Sequence, residues 1–366
     1  MRKWGSMLLA ATLSIAALSA CSPASDTAQA PDSESGSPAV SGGGTSRLDT
    51  IISRGKLICG VEGTIPGFSF VDSSGQYSGL DVDVCRAVAA AVFNTSENID
   101  EKIEYRNLDS TERFPAIASG EVDMLSRNTT WTSSRDAAGG NGLEFAPTTF
   151  YDGQGMMVRR DSGITDLRGF EGKSVCVETG TTTELNLADR MRQLGVTYDE
   201  VKFQDADAVY AAYAEGRCEG ATSDRSQLAA RRTTLSDPEN HILLEEVMSK
   251  EPLAPTTVNG DSRWFDVVKW VTYGLFQAEE FGITQATVQQ QLTSDNPEVK
   301  RFLGVEGDLG TQLGLSNDFM VQVITTTGNY GEIYDRNVGE DSELKLDRGL
   351  NRLWTEGGLH YSPPFR

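Results

Sequence analysis

The chain has 366 residues, 38% of them hydrophobic, with 37 glycines and a formal charge of −21, so it is too long for one hydrophobic core and is expected to form at least two lobes. Its Lys and Arg residues do not cluster as phosphate binding requires, which excludes nucleic acid as a partner, and so acidic a chain gains nothing from anionic lipid headgroups. Any membrane attachment must be covalent or apolar.

The first segment supplies one. Arg2 and Lys3 precede the apolar run Met7–Leu18. A run this short, at about 1.5 Å per residue, falls short of a ~30 Å hydrocarbon core, so residues 1–20 read as a signal peptide. Leu18-Ser19-Ala20-Cys21 resembles the bacterial lipobox, whose cysteine becomes an acylated N-terminus. Cys21 is the expected lipid anchor, against ordinary cleavage beside a chance cysteine. Residues 21–46 are rich in Ser, Pro, Ala and Gly without an aromatic, a composition that predicts a flexible tether. The expected location is therefore periplasmic or cell-surface, held to the membrane by lipid alone.

Beyond the tether, Lys56–Val61 reads as a short strand. Asp81–Phe93 reads as an Ala-rich helix with Val82, Cys85, Val88, Ala89 and Val92 on one face. Lys102–Arg106 alternates as a strand, Thr111–Ser119 is a helix stopped by Gly120, and Val122–Ser126 is a further strand. This alternation predicts βαβ units and a largely parallel sheet. The order then recurs: strand Lys173–Val177, helix Thr183–Leu194, strand Tyr198–Phe203, helix Asp205–Glu215. AIASGEVDMLS at Ala116–Ser126 is echoed by AYAEGRCEGATS at Ala212–Ser223. Gly153–Val158 and Ser249–Val258 are the expected crossings, giving one lobe as 47–152 with 256–366 and the other as 153–255. Trp264–Phe281 is a long amphipathic helix with Trp264, Val267, Val268, Val271, Leu275 and Ala278 on one face. The residues after it extend the first lobe or wrap the hinge.

Of five cysteines, a lipidated Cys21 leaves four, an even count that suits disulfides in an exported protein. Three pairings are possible. Cys59–Cys85 with Cys176–Cys218 is favoured, because each bond then stays inside one lobe and leaves the lobes free to move. The spacing is not that of a zinc site, and no metal or other cofactor is expected.

Gly79-Leu80-Asp81-Val82-Asp83-Val84, followed by Val88-Ala89 and Val92, resembles the signature of the family 3 bacterial solute-binding proteins. Ser126–Thr132, Tyr151–Gly155, Gly180–Asp189 and Gly328–Tyr334 extend the resemblance, in order, over Arg47–Arg366. These stretches look like the general L-amino-acid-binding branch. The resemblance implies an α/β fold of the two-lobed type II periplasmic-binding-protein kind, with βαβ-based lobes joined by two hinge strands. It implies a monomeric receptor that captures free L-amino acids of broad range and hands them to ABC permease subunits.

The residues suit that chemistry. An amino acid presents a carboxylate and an ammonium at fixed separation, so its receptor needs an anion clamp facing an acid. Arg135, just past the strand ending at Ser126, can fork two hydrogen bonds to a carboxylate, and the family places its carboxylate-binding Arg there. The alternative is a surface pair with Asp136. Thr130 adds its hydroxyl or amide, and the Asn128 backbone helps hold the ammonium. Thr181-x-x-Glu184 reads as a capping box that leaves the amides at Thr182 and Thr183 free at a helix N-terminus. Asp224 is the family's ammonium partner by alignment, or else an N-cap for the next helix. Glu62, Ile65 and Phe68 are expected to line the side-chain pocket, with Trp131 as a candidate wall. Ile65 at the stacking position speaks against a strictly cationic ligand, while a buried Glu62 speaks for one. The main rivals are a dehydratase of the same superfamily, which would need only a carboxyl acid such as Glu62, and a sensory receptor. The two histidines, His241 and His360, lie in no predicted cleft, and the chain is read as a binding protein and not an enzyme.

Overall fold

The computed structural model describes residues 45–366; the signal peptide, Cys21 and nearly all of the tether lie outside them. The tether's last residue already belongs to the folded part. Ser46 caps a helix, Arg47–Arg54, accepting the Leu48 amide at 3.3 Å while its hydroxyl donates to Asp261 at 2.9 Å. That helix escaped the sequence reading, although its buried Leu48 and Ile51 and the left-handed Gly55 after it were the available signal.

Two five-stranded sheets share one plan. In the first, Ile103–Asn107, Leu57–Val61 and Met124–Leu125 run parallel, and Thr256–Val258 then runs antiparallel between Met124–Leu125 and Leu143–Phe145. In the second, Asp199–Phe203, Ser174–Glu178 and Gly220–Asp224 run parallel, followed by Gln154–Arg159, antiparallel to its neighbours, and His241–Leu243. In each sheet the returning strand comes from the far side of the crossing. The echo between Ala116–Ser126 and Ala212–Ser223 is therefore structural: each stretch carries a helix, a glycine and the third parallel strand.

The crossing itself is shorter than the expected spans, its first strand lying just before Gly153 and its second inside Ser249–Val258. Phe150–Asp152 pairs antiparallel with Glu251–Leu253 as a separate two-stranded ladder. Gln154–Arg159 belongs wholly to the second sheet and Thr256–Val258 to the first. Gly153 and Pro255 are the punctuation: an added Cβ on Gly153 would lie 2.4 Å from Val247, and Pro255 has no amide to give a ladder.

The helix Leu80–Phe93 packs against the first sheet and is buried on most sides, which its run of alanines permits. Gly79 before it has φ +124°, and a Cβ there would sit 2.1 Å from the Phe68 carbonyl oxygen, so only glycine fits. The long helix spans Ser262–Glu280, with all six residues of the expected face buried and Trp264 Nε1 donating to the Asp123 carbonyl at 2.7 Å. Helices Phe319–Thr327 and Tyr330–Asn337 complete this core. The C-terminal stretch then reaches the crossing, where Asn351 accepts the Tyr151 amide at 2.7 Å. Cys59–Cys85 and Cys176–Cys218 are bonded, each inside one lobe.

Candidate functional site

The C-terminal ends of the parallel strands of both sheets face one cleft, lined on one side by Glu62, Ile65, Ser110, Arg113, Arg127, Asn128, Thr130 and Arg135. Glu178, Thr181, Thr182, Thr183, Ser223, Asp224 and Gln227 line the other. Eight of the nine expected binding residues are among them. Phe68 is the exception: it is 1% exposed and packs edge-on against Phe150 at 5.1 Å, inside the first core. Trp131 is no wall either, being 43% exposed and stacked on Phe145 at 5.9 Å, away from the cleft.

Arg135 sits in the short helix Ser133–Asp136 and is buried. Its Nη1 donates to the Thr130 carbonyl at 2.9 Å and its guanidinium lies 5.2 Å over the Phe114 ring. Asp136 is not its partner, since Asp136 accepts the Trp131 indole at 2.6 Å. Burial pulls Arg135 down to about 10, while Glu251 and Asp224 oppose that shift. Across the cleft Asp224 ends a strand, 6% exposed. It makes no side-chain cap bond to the helix Arg225–Thr233 that follows, and its Oδ1 has no hydrogen-bond partner among the described residues. Burial, then repulsion from Asp152 and Glu251, pushes Asp224 well above the usual carboxylate range. A cation placed beside it would reverse that shift.

Asn128 takes a left-handed backbone, φ +45°, as the chain leaves the strand Met124–Leu125, and its amide donates to Asp81 at 3.2 Å. Its side-chain Oδ1 and Nδ2 are buried without a partner among the described residues. The helix Thr182–Leu194 starts at the cleft with Thr181 as N-cap, accepting the Glu184 amide at 3.0 Å. The reciprocal arm of the expected capping box differs: Glu184 accepts the Gly180 amide at 2.8 Å instead of that of Thr181. The amides of Thr182 and Thr183 are left over by the helix, as at any N-terminus.

Glu62 departs from its expected part. It accepts the Thr64 amide and hydroxyl, each at 2.6 Å, and faces Arg231 of the other lobe at 3.9 Å. Arg231 also donates to Thr64 and, at 2.6 Å, to Asp207. A carboxylate already matched by a guanidinium no longer calls for a cationic ligand, nor does it stand free as a general acid.

Three residues that sequence reading passed over shape the charge of the cleft. Arg113, 2% exposed, reaches across to the Gly180 carbonyl at 3.4 Å, and its Nε has no partner among the described residues. Arg127 donates to the Leu108 carbonyl at 2.8 Å and lies 3.8 Å from Glu178, which also accepts the Ser110 amide at 3.3 Å. Burial first, then Arg127 and Arg135, lowers Arg113 well below the usual arginine range. Guanidinium groups gathered this way favour an anion between them. Each comes from a helix start or strand end that reads as ordinary surface until the fold assembles it; the Ser-Arg-Asn run at 126–128 was the one local hint.

The two sheets, their shared crossing and a buried arginine opposed to a buried acid define a two-lobed binding protein of type II. The sequence model of the bacterial extracellular solute-binding proteins, family 3, matches residues 57–340, and the chain belongs to that family. It is 49% identical over 321 residues to the general L-amino acid-binding periplasmic protein AapJ of Rhizobium johnstonii, covering 87% of this chain and 92% of that one. It is 45% identical to the glutamate/glutamine/aspartate/asparagine-binding protein BztA of Rhodobacter capsulatus, over 88% of this chain and 94% of that one. An ABC transporter periplasmic binding protein from Brucella ovis, solved with glutathione bound, matches with a TM-score of 0.85 at 46% identity, over 88% of this chain and 100% of that one.

Proposed function

We propose that the protein captures free L-amino acids in this cleft and delivers them to the permease of an ABC importer. Arg135 and the Thr182 and Thr183 amides hold the α-carboxylate, and Asp224 holds the α-ammonium. The observation that carries the reading is the buried Asp224, whose Oδ1 has no hydrogen-bond partner among the described residues while Arg135 faces the same cleft. AapJ and BztA are named for amino acids, which supports it. Residues 47–152 with 256–366 act as one lobe and 153–255 as the other, closing about the ladder at Phe150–Asp152.

Side-chain preference follows from Arg113, whose Nε has no partner among the described residues, whereas Arg127 is already matched by Glu178. Acids and amides, which bring a second acceptor, should rank above lysine and arginine, because Glu62 is already matched by Arg231. Glutathione is a second candidate, since its γ-glutamyl end carries the same free carboxylate and ammonium. Titration calorimetry with glutamate, glutamine, aspartate, asparagine, leucine, lysine, arginine and glutathione tests the ranking; tightest binding by lysine or arginine would refute it. The protein works as an exported monomer tethered by lipidated Cys21. Replacing Cys21→Ser should move it from the membrane to the soluble fraction, and unchanged fractionation would count against the anchor.

A further inference from the structure

A carboxylate behind the cleft wall ties the clamp together. Glu251, on the crossing strand Glu251–Leu253, is 1% exposed. Its Oε2 accepts the Thr130 hydroxyl at 2.6 Å and the Thr182 hydroxyl at 2.8 Å. Its Oε1 accepts Asn186 Nδ2 at 2.8 Å and the Ser249 hydroxyl. Thr130 belongs to the first lobe, Thr182 and Asn186 to a helix of the second, and Glu251 to the connection between them. The two threonines line the cleft, their hydroxyl oxygens 3.4 Å apart.

A hydroxyl has one proton and two lone pairs, and a carboxylate only accepts. Each threonine therefore spends its proton on Glu251 and turns lone pairs toward the ligand. Bonds to a charged acceptor are the stronger kind, so reversing either hydroxyl is unfavourable. We infer that Glu251 is a positioning residue that makes both threonine hydroxyls accept hydrogen bonds only, and thereby, with Asp224, sets the requirement for a protonated α-amino group. Thr130, expected to add its hydroxyl or amide to the carboxylate clamp, instead offers its hydroxyl as an acceptor for ammonium, and the ligand carboxylate is left to Arg135 and the helix amides. The inference rests on the reading that the cleft binds amino acids.

The test compares L-glutamate and L-glutamine with their 2-hydroxy acid counterparts, by titration calorimetry, on wild type and Glu251→Gln. The glutamine oxygen stays with the Asn186 donor, and its NH2 then faces both threonines and turns their protons toward the ligand. Amino-acid affinity should fall about tenfold or more, in line with truncating one side of a buried charged hydrogen bond. Hydroxy-acid affinity should fall far less, so the preference for the amino acid shrinks by a similar factor. A uniform loss, with the preference intact in a variant that melts like wild type, would overturn the inference. Thr182→Val deletes one of the two acceptors outright and should shrink the same preference; if Glu251→Gln does not fold, an unchanged preference in Thr182→Val is the contrary result. Wild type that binds no amino acid would instead remove the reading beneath it, an outcome visible before any variant is made.

Discussion

Asp81 is 5% exposed and accepts the Ser126 hydroxyl and the Asn128 amide, each at 3.2 Å. Burial outweighs those bonds and raises it to about 7 from 3.8. Between those values the folded protein keeps a proton that the unfolded chain releases, so this group's contribution to stability is full below about pH 4 and lost as the pH rises to 7. Asp152, pushed up to about 6 chiefly by burial, acts in the same direction. Asp81→Asn removes the contribution of this group. Its melting temperature relative to wild type should therefore be higher at pH 7.5 than at pH 4.5, and a difference that does not change with pH would contradict the assignment. Residues of this kind divide by how local their signal is. The place of Arg135 and Asp224 in the cleft was legible because each lies after or at the end of a strand, where the family resemblance put a ligand contact. Arg113, Glu178 and Glu251 were not, because nothing near them in the chain says which distant groups they will meet. Phe68 went wrong for the same reason: a phenylalanine after a strand suits a pocket or a core, and Phe150 decides for the core.

Elements of ten residues or more were read well from the sequence, since a 3.6-residue repeat accumulates over several turns. The helices observed at Leu80–Phe93, Thr182–Leu194 and Ser262–Glu280 lie within two residues of the expected spans. Short elements were not. The three-stranded sheet of Thr64–Ile65, Ser69–Val71 and Tyr77–Ser78 has strands too brief for alternation to show, and Val122–Ser126 contributes only Met124 and Leu125 to its ladder. Of the crossing strands, one lies just before its expected span and the other is a short part of it, because in each the chain runs straight on between the crossing ladder and a sheet strand; Gly153 and Pro255 mark the breaks. The disulfides belong to this scale as well. Closing 26 and 42 residues restricts the unfolded chain by about 3–4 kcal/mol each in the loop-entropy account, and both bonds leave the crossing unencumbered.

At the scale of the molecule, the cleft is joined across its width by few contacts, and most are charged or polar: Arg231 to Glu62 and Thr64, Arg113 to Gly180, Arg127 to Glu178, and Thr130 and Thr182 to Glu251. In the proposed mode of binding, Arg135 in the first lobe would anchor the carboxylate and Asp224 in the second the ammonium, so that neither lobe alone would satisfy an amino acid. Water leaving the cleft on closure strengthens each charged contact. This division of labour is the central claim, and it meets its most direct test in calorimetric titration of Arg135→Ala and Asp224→Ala with the amino acid that wild type binds most tightly. Each variant, if folded as judged by melting, should bind about 30-fold or more weakly, as expected when one member of a desolvated charge pair is removed. Wild-type affinity in either variant would show that the ligand is held elsewhere.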